Sequence, residues 1–97
     1  SYNQMARLLC WNPSRRYGLL AKGDIAVGFD ADLVLLDPDE SFQVQASRSP
    51  SSQGYTPFEG LELTGRVKST FVRGKRVYHN GEVVGDPQGR YLKRPYR

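Results

Sequence analysis

Two dipeptides, Arg73-Gly74 and Asn80-Gly81, limit what this chain can fold into. A two-residue hairpin turn of the right twist needs φ > 0 at its central positions, and Asn-Gly is the strongest short signal for it. The residues around both dipeptides alternate. Val67, Ser69 and Phe71 fall on one face, and Lys68, Thr70 and Val72 on the other; Val77 and His79 alternate with Tyr78, and "EVVG" returns. A three-strand antiparallel meander is therefore expected at the C-terminal end, and the fold is expected to be mainly β. Ten glycines and six prolines in 97 residues point the same way, toward short strands and tight turns.

Upstream the period is different. Met5, Leu8 and Leu9 stand at i, i+3 and i+4, and Ser1 or Asn3 suits an N-cap, so "SYNQMARLLCW" reads as a short helix. In "NPSRRYG", Asn12 suits a cap, Pro13 the first helical position and Gly18 the residue past the end. Two short N-terminal helices are expected. "DIAVG" reads as a short extended segment. Leu33-Val34-Leu35-Leu36 is an uninterrupted apolar run, expected as a central strand buried on both faces and stopped by Pro38. "SFQVQ" alternates weakly and suits a further strand. Residues 45–57 are poor in apolar side chains and read as a loop, followed by anchors at Phe58, Leu61 and Leu63. The "DPQGRYLKRPYR" tail, with Tyr91 and Tyr96, reads as basic and docked at one or two points.

The residue types restrict the chemistry. A catalytic zinc site takes three protein ligands, and this chain has one histidine, His79, and one cysteine, Cys10. Cys10 sits in "ARLLCW", where burial as a small hydrophobe is expected, and nothing in the spacing pairs it with His79 as nucleophile and base. The single cysteine excludes an internal disulfide and suits a reducing, cytoplasmic compartment. Asp30 and Asp32 lie on one side of the apolar run, and Asp37, Asp39 and Glu40 on the other. The four residues between span about 13–17 Å in a strand, too far for two carboxylates to share one reacting atom. They are read as turn residues, with Asp37 making an Asx turn. No phosphate-binding glycine loop is present, since "KGDIAVG" runs into a strand. No apolar run approaches the ~20 residues of a membrane span.

The net charge of +4 raises nucleic acid as a partner. Lys68, Arg73, Lys75, Arg76, Arg90, Lys93, Arg94 and Arg97, with Tyr78 and Tyr91 between them, are the candidate surface. They fall at turns and outward strand positions, where solvated faces normally carry charge. A freestanding basic β module that binds protein or nucleic acid is the alternative reading.

Four segments together resemble the C-terminal part of the cyclic amidohydrolases: "NPSRRYGL", "KGDIAVGFDADLVLLDP", "TPFEGLELTGRVKSTFVRGKRVYHNGEVVG" and "GRYLKR". They are similar to allantoinases and dihydroorotases first, and to hydantoinases next. The resemblance implies a partial β-sandwich-like composite domain: residues 1–20 as helices that follow a catalytic barrel, and 21–97 as the C-terminal β domain with loop 45–57. It implies a parent that opens a cyclic amide of the allantoin or dihydroorotate type with a two-zinc site. The family's metal ligands and catalytic aspartate precede this region. No residue here matches them, so no catalytic, cofactor-binding or metal site is expected in this chain. The expected partners are the catalytic barrel of the same polypeptide and further copies of it, with no membrane. The chain starts without Met and is expected to be a piece of a longer protein.

Overall fold

A computed structural model describes residues 1–95. Tyr96 and Arg97, named above in the tail and in the basic surface, lie outside the described residues. The order is a helical arm, a long connection and a four-stranded antiparallel sheet: β1 Leu33–Gln43, β2 Glu62–Val72, β3 Lys75–His79 and β4 Glu82–Val83, in spatial order β1-β2-β3-β4. The meander is present as the turn residues require. Arg73 and Gly74 take φ 47° and 81°, and Asn80 and Gly81 take 47° and 89°, so both reversals have two left-handed central residues.

The arm is one continuous helical run, not two short helices. Tyr2–Ala6 (α1) is α-helical, Arg7–Trp11 is π-helical and Asn12–Arg16 (α2) is α-helical. Ser1 caps the start, its Oγ accepting from the Gln4 amide at 3.2 Å. Asn12 is not a cap: its backbone is helical, and its N–H donates to the Arg7 carbonyl five residues back. The physical reason is Pro13. A proline inside a helix lacks the N–H that would reach the carbonyl four residues earlier, and its ring crowds that carbonyl. A π turn just before it widens the helix, so the helix passes the proline without breaking. The end follows the sequence: Gly18 at φ 73° lets its N–H reach the Arg15 carbonyl at 3.3 Å, while the Leu19 N–H reaches that of Ser14 at 2.8 Å. These two bonds form a Schellman motif.

Three expectations are corrected at the sheet. The run Leu33–Leu36 is not central; β1 is an edge strand, and Val34, Leu35 and Leu36 are 57%, 54% and 38% exposed. An apolar run states that a strand is to be covered, not that this chain supplies the cover. Pro38 does not stop the strand. On an edge, the missing N–H can face away from the ladder, and the pairing with β2 skips between Asp37 and Ser41, so β1 runs on through Ser41–Gln43 and absorbs part of "SFQVQ". "DIAVG" forms no strand: Asp24 accepts from the Ile25 amide, Gly28 turns the chain at φ 85°, and Ile25 and Val27 point into solvent. The base of the β1–β2 connection is closed by Val44 N–H to Leu61 O at 2.9 Å and Gly60 N–H to Val44 O at 2.8 Å.

Among the described residues no apolar side chain is buried; the two buried residues are Ser14 and Ser69. The accessible surface is 8202 Å², against about 5,600 Å² expected for a folded monomer of this mass. The radius of gyration is 15.5 Å, against about 12.5 Å for a compact domain of this length. The cause is visible in the packing. No Cα of the arm comes within 8 Å of a strand Cα, and close backbone approach between elements is confined to neighbours within the arm and within the sheet.

Candidate functional site

His79 lies on β3 opposite Ser69 of β2. Ser69 Oγ is 2.9 Å from His79 Nδ1, and the Asn80 side-chain nitrogen is 3.2 Å from Nε2. An amide N–H donated to Nε2 leaves the proton on Nδ1, which donates to Ser69 Oγ. Both ring nitrogens are engaged in hydrogen bonds, and in this tautomer Ser69 Oγ is an acceptor, so the imidazole does not act on it as a base. Cys10 is exposed, contrary to the burial expected of it, because it sits on the π segment of an arm that nothing in this structure covers. Cys10 on the arm and His79 on β3 stand more than 8 Å apart, Cα to Cα, and the structure does not bring them together as a pair. Among the described residues no three His, Cys, Asp or Glu side chains converge to hold a metal. The donor set of this chain does not fit a two-zinc centre.

The carboxylates divide. Asp37 makes the expected Asx turn, its Oδ1 accepting from the Asp39 amide at 2.9 Å and the Glu40 amide at 3.3 Å. Glu40 crosses to β2, 2.9 Å from Lys68 and 3.9 Å from Arg66. Asp30 and Asp32 do more than turn the chain. Both hold Lys22, at 2.8 Å and 2.5 Å, and the other Asp32 oxygen accepts from the Arg73 amide at 2.8 Å. Lys22 is itself placed from the arm. Arg15 stacks over Trp11 at 4.5 Å and Phe29 at 5.8 Å and donates to the carbonyls of Leu19, Leu20 and Lys22 at 2.8, 3.1 and 3.1 Å. Gly23 then passes so close to the arm that a Cβ there would lie 2.3 Å from Ser14 Oγ and 2.6 Å from the Cys10 carbonyl oxygen.

This cluster shifts two titrations. Hydrogen bonds to Asp30 and then Asp32, with their charge, raise the Lys22 ammonium above its ordinary value despite partial desolvation. Burial works against the Asp32 charge, but the Lys22 hydrogen bond, the Arg73 amide and both cations outweigh it and hold the carboxyl low. The depressed Asp32 value contributes stability that is present above the unfolded-state value and is lost as pH falls through the lower folded value. An Asp32→Asn variant keeps an acceptor for the Arg73 amide and loses the charge. It is expected to be less stable than the parent at pH 7 by about 1 kcal/mol or less, since the pair is partly solvated. Urea unfolding of both proteins at pH 7 and below pH 3 checks this: the gap closes in acid, and a gap unchanged by acid contradicts the assignment.

Two concave surfaces remain. A trough of about 450 Å³ runs between the arm and β1, lined by Tyr2, Met5, Ala6, Val34, Leu36 and Pro38, without a charged residue. A basic groove of about 590 Å³ lies where the tail meets the arm, with Arg16 and Arg94 5.6 and 5.1 Å from the Tyr17 ring and Lys93 and Tyr91 beside them. Apart from Gly18 its lining is exposed, Tyr91 to 91%, so it is an open surface rather than an enclosed site. The remaining candidate cations are dispersed: Lys68 is paired with Glu40, Arg73 donates to the Gln88 carbonyl, and Lys75 and Arg76 sit on β3.

The sequence profile of the Amidohydrolase family matches residues 1–77. An allantoinase of Deinococcus radiodurans is 43% identical over 89 residues, which are 92% of this chain and 19% of that protein. A dihydroorotase of Methanothermobacter thermautotrophicus is 40% identical over 92 residues, 95% of this chain and 21% of that protein. Among solved structures, a D-hydantoinase superposes with a TM-score of 0.79 at 37% identity, over 84% of this chain and 18% of that one. The L-hydantoinase of Arthrobacter aurescens superposes at 0.72 and 41% identity, over 76% and 17%. The chain spans about a fifth of the length of these relatives.

Proposed function

The chain belongs to the amidohydrolase family, and from that premise we propose that it is the non-catalytic C-terminal β domain of a longer cyclic amidohydrolase. In this reading residues 1–20 follow the catalytic barrel and 21–97 form the β domain with loop 45–57. The observation that carries the proposal is the bare apolar surface: a trough with no charge in it, an unpaired β1 edge, and Leu8 and Leu9 exposed on the arm. An excess of roughly 2,600 Å² over a compact monomer is more than the ~800 Å² that one partner of a standard interface gives up. It suits a chain whose cover belongs to the same polypeptide. The partner is then the barrel and the strands that complete the sheet.

The substrate class is a cyclic amide, of the allantoin, dihydroorotate or hydantoin type, by likeness to the named relatives. Zinc, where the parent holds it, supplies an activated water for opening the ring. Its ligands lie outside this chain, which contributes support to the barrel and surface for assembly. A cytoplasmic setting is proposed from the single cysteine. Assembly of the parent into a homo-oligomer, read by light scattering, belongs to the same proposal.

The test is hydrolysis of allantoin, dihydroorotate and hydantoin by the longer polypeptide and by residues 1–97 alone, with zinc analysis of both. The longer polypeptide is expected to open one of the rings and to carry the metal. The short chain is expected to show neither activity nor stoichiometric zinc. A tightly bound zinc in the short chain, or a longer polypeptide inert on every cyclic amide, overturns the proposal.

A further inference from the structure

We propose that Lys22 is the clamp that fixes the helical arm to the sheet, and so holds the apolar trough open between them. No Cα of the arm lies within 8 Å of a strand Cα, and the two faces stand opposite each other across the trough. The backbones are therefore tied to each other through the connection between them. One residue is gripped from both sides. Its carbonyl accepts from Arg15 of the arm at 3.1 Å. Its ammonium holds Asp30 and Asp32, and Asp32 holds the Arg73 amide in the β2–β3 turn at 2.8 Å. Two backbone bonds run parallel to it, Asp30 N–H to Ala21 O and Gly74 N–H to Ala31 O, both at 2.9 Å. The tail adds a contact at Gly18, where Pro95 Cδ is 3.3 Å from the position of a Cβ.

The arrangement gives the loop two unequal seams. On the arm side it is seated by Arg15, by the Schellman bonds and by the close passage of Gly23 over Ser14. On the sheet side one backbone bond, Gly74 N–H to Ala31 O, is joined by the Asp32–Arg73 bond, whose carboxylate Lys22 holds beside that of Asp30. Without that ammonium, Asp30 and Asp32 are two like charges side by side, and repulsion pulls Asp32 from Arg73. Release therefore loosens the Asp32–Arg73 contact beside the start of β1 and leaves residues 19–23 seated on the arm. A trough whose walls are held in place before its occupant arrives loses less freedom when it is filled. That consequence rests on the reading of the trough given above, whereas the clamp rests on the fold alone.

Amide hydrogen exchange on the intact polypeptide that carries this chain tests the clamp, without substrate, so its outcome is separate from that of the hydrolysis assay. In Lys22→Met the Arg73 and Gly74 amides are expected to exchange about five- to tenfold faster, the loss of a charge-assisted bond screened by solvent. The Leu19 and Lys22-position amides, bonded to Ser14 and Leu19 carbonyls, keep their rates, and Lys22→Arg restores those of Arg73 and Gly74. Unchanged exchange at Arg73 and Gly74 in Lys22→Met overturns the clamp, as does equal acceleration in Lys22→Arg. Lys22→Gln, which keeps a hydrogen-bond donor and loses the charge, is read the same way if Lys22→Met does not fold. It is expected to speed the two amides several-fold, about as Lys22→Met does, and wild-type rates in it count against the proposal.

Discussion

Gly23→Ala is expected to destabilise the protein by about 3 kcal/mol or more, a large part of the 5–15 kcal/mol that holds a typical domain folded. Two effects add. The residue has φ 87°, where an L side chain costs about 1–2 kcal/mol. The new methyl also meets the arm: Ser14 Oγ at 2.3 Å, the Cys10 carbonyl oxygen at 2.6 Å and Ser14 Cβ at 2.8 Å. The hydroxyl is able to rotate away, but the carbonyl belongs to helix backbone and the Ser14 Cβ is fixed to it. The loop must therefore lift off the arm, which strains the Arg15 bonds that hold 19–22. Gly28→Ala is the control, because Gly28 has φ 85° and a Cβ there meets nothing within 4 Å. It is expected to cost only the backbone part, about 1–2 kcal/mol. Denaturant unfolding of the two variants separates the terms; equal losses would mean that the close approach at Gly23 contributes nothing.

That contrast also shows what the sequence makes legible. Local geometry can be read from it wherever a residue type answers a local need. Asn80-Gly81 and Arg73-Gly74 turn as their dihedral demands require, Ser1 caps, Gly18 ends the helix and Asp37 makes its Asx turn. Pro13 is harder, because a proline in mid-pattern is answered either by a break or by a π turn, and only the neighbouring bonds decide. The Lys22 cluster is not legible in the sequence pattern. Lys22, Asp30 and Asp32 are separated by eight and ten residues, and it takes the turns at Gly23 and Gly28 to bring them together. "KGD" followed by "DAD" carries a signal of sorts, one cation upstream of a close pair of carboxylates, but no periodicity points to it. Arg15 was equally hidden, since one arginine of an Arg-Arg pair on a short helix looks like any solvated charge.

Burial was the least legible property. Leu33–Leu36 has the composition of a strand covered on both faces, yet it is a half-exposed edge. Cys10 has the neighbours of a buried thiol, yet it faces solvent. Both cases have one cause: the pattern in a sequence records what a surface is built to meet, and the partner need not be in the same stretch of chain. The proposed function supplies that partner from the rest of the polypeptide. In that setting the two-sided cover expected for Leu33–Leu36 is a property of the longer protein.

Val34→Asp tests this most directly, because the same substitution gives opposite results in the two settings. In residues 1–97 alone, Val34 is 57% exposed on an edge, and a new carboxylate there stays hydrated. The expected change in stability is within about 0.5 kcal/mol, as for other surface substitutions. In the longer polypeptide the trough is expected to be filled, so the carboxylate is taken from water with no cation in the lining to receive it. The expected loss is about 3 kcal/mol or more, the scale of an unpaired buried charge. Urea unfolding of the variant and its parent in both lengths of chain makes the comparison. A large loss confined to the longer polypeptide is the result this account predicts; the same small change in both would leave the trough uncovered and contradict it.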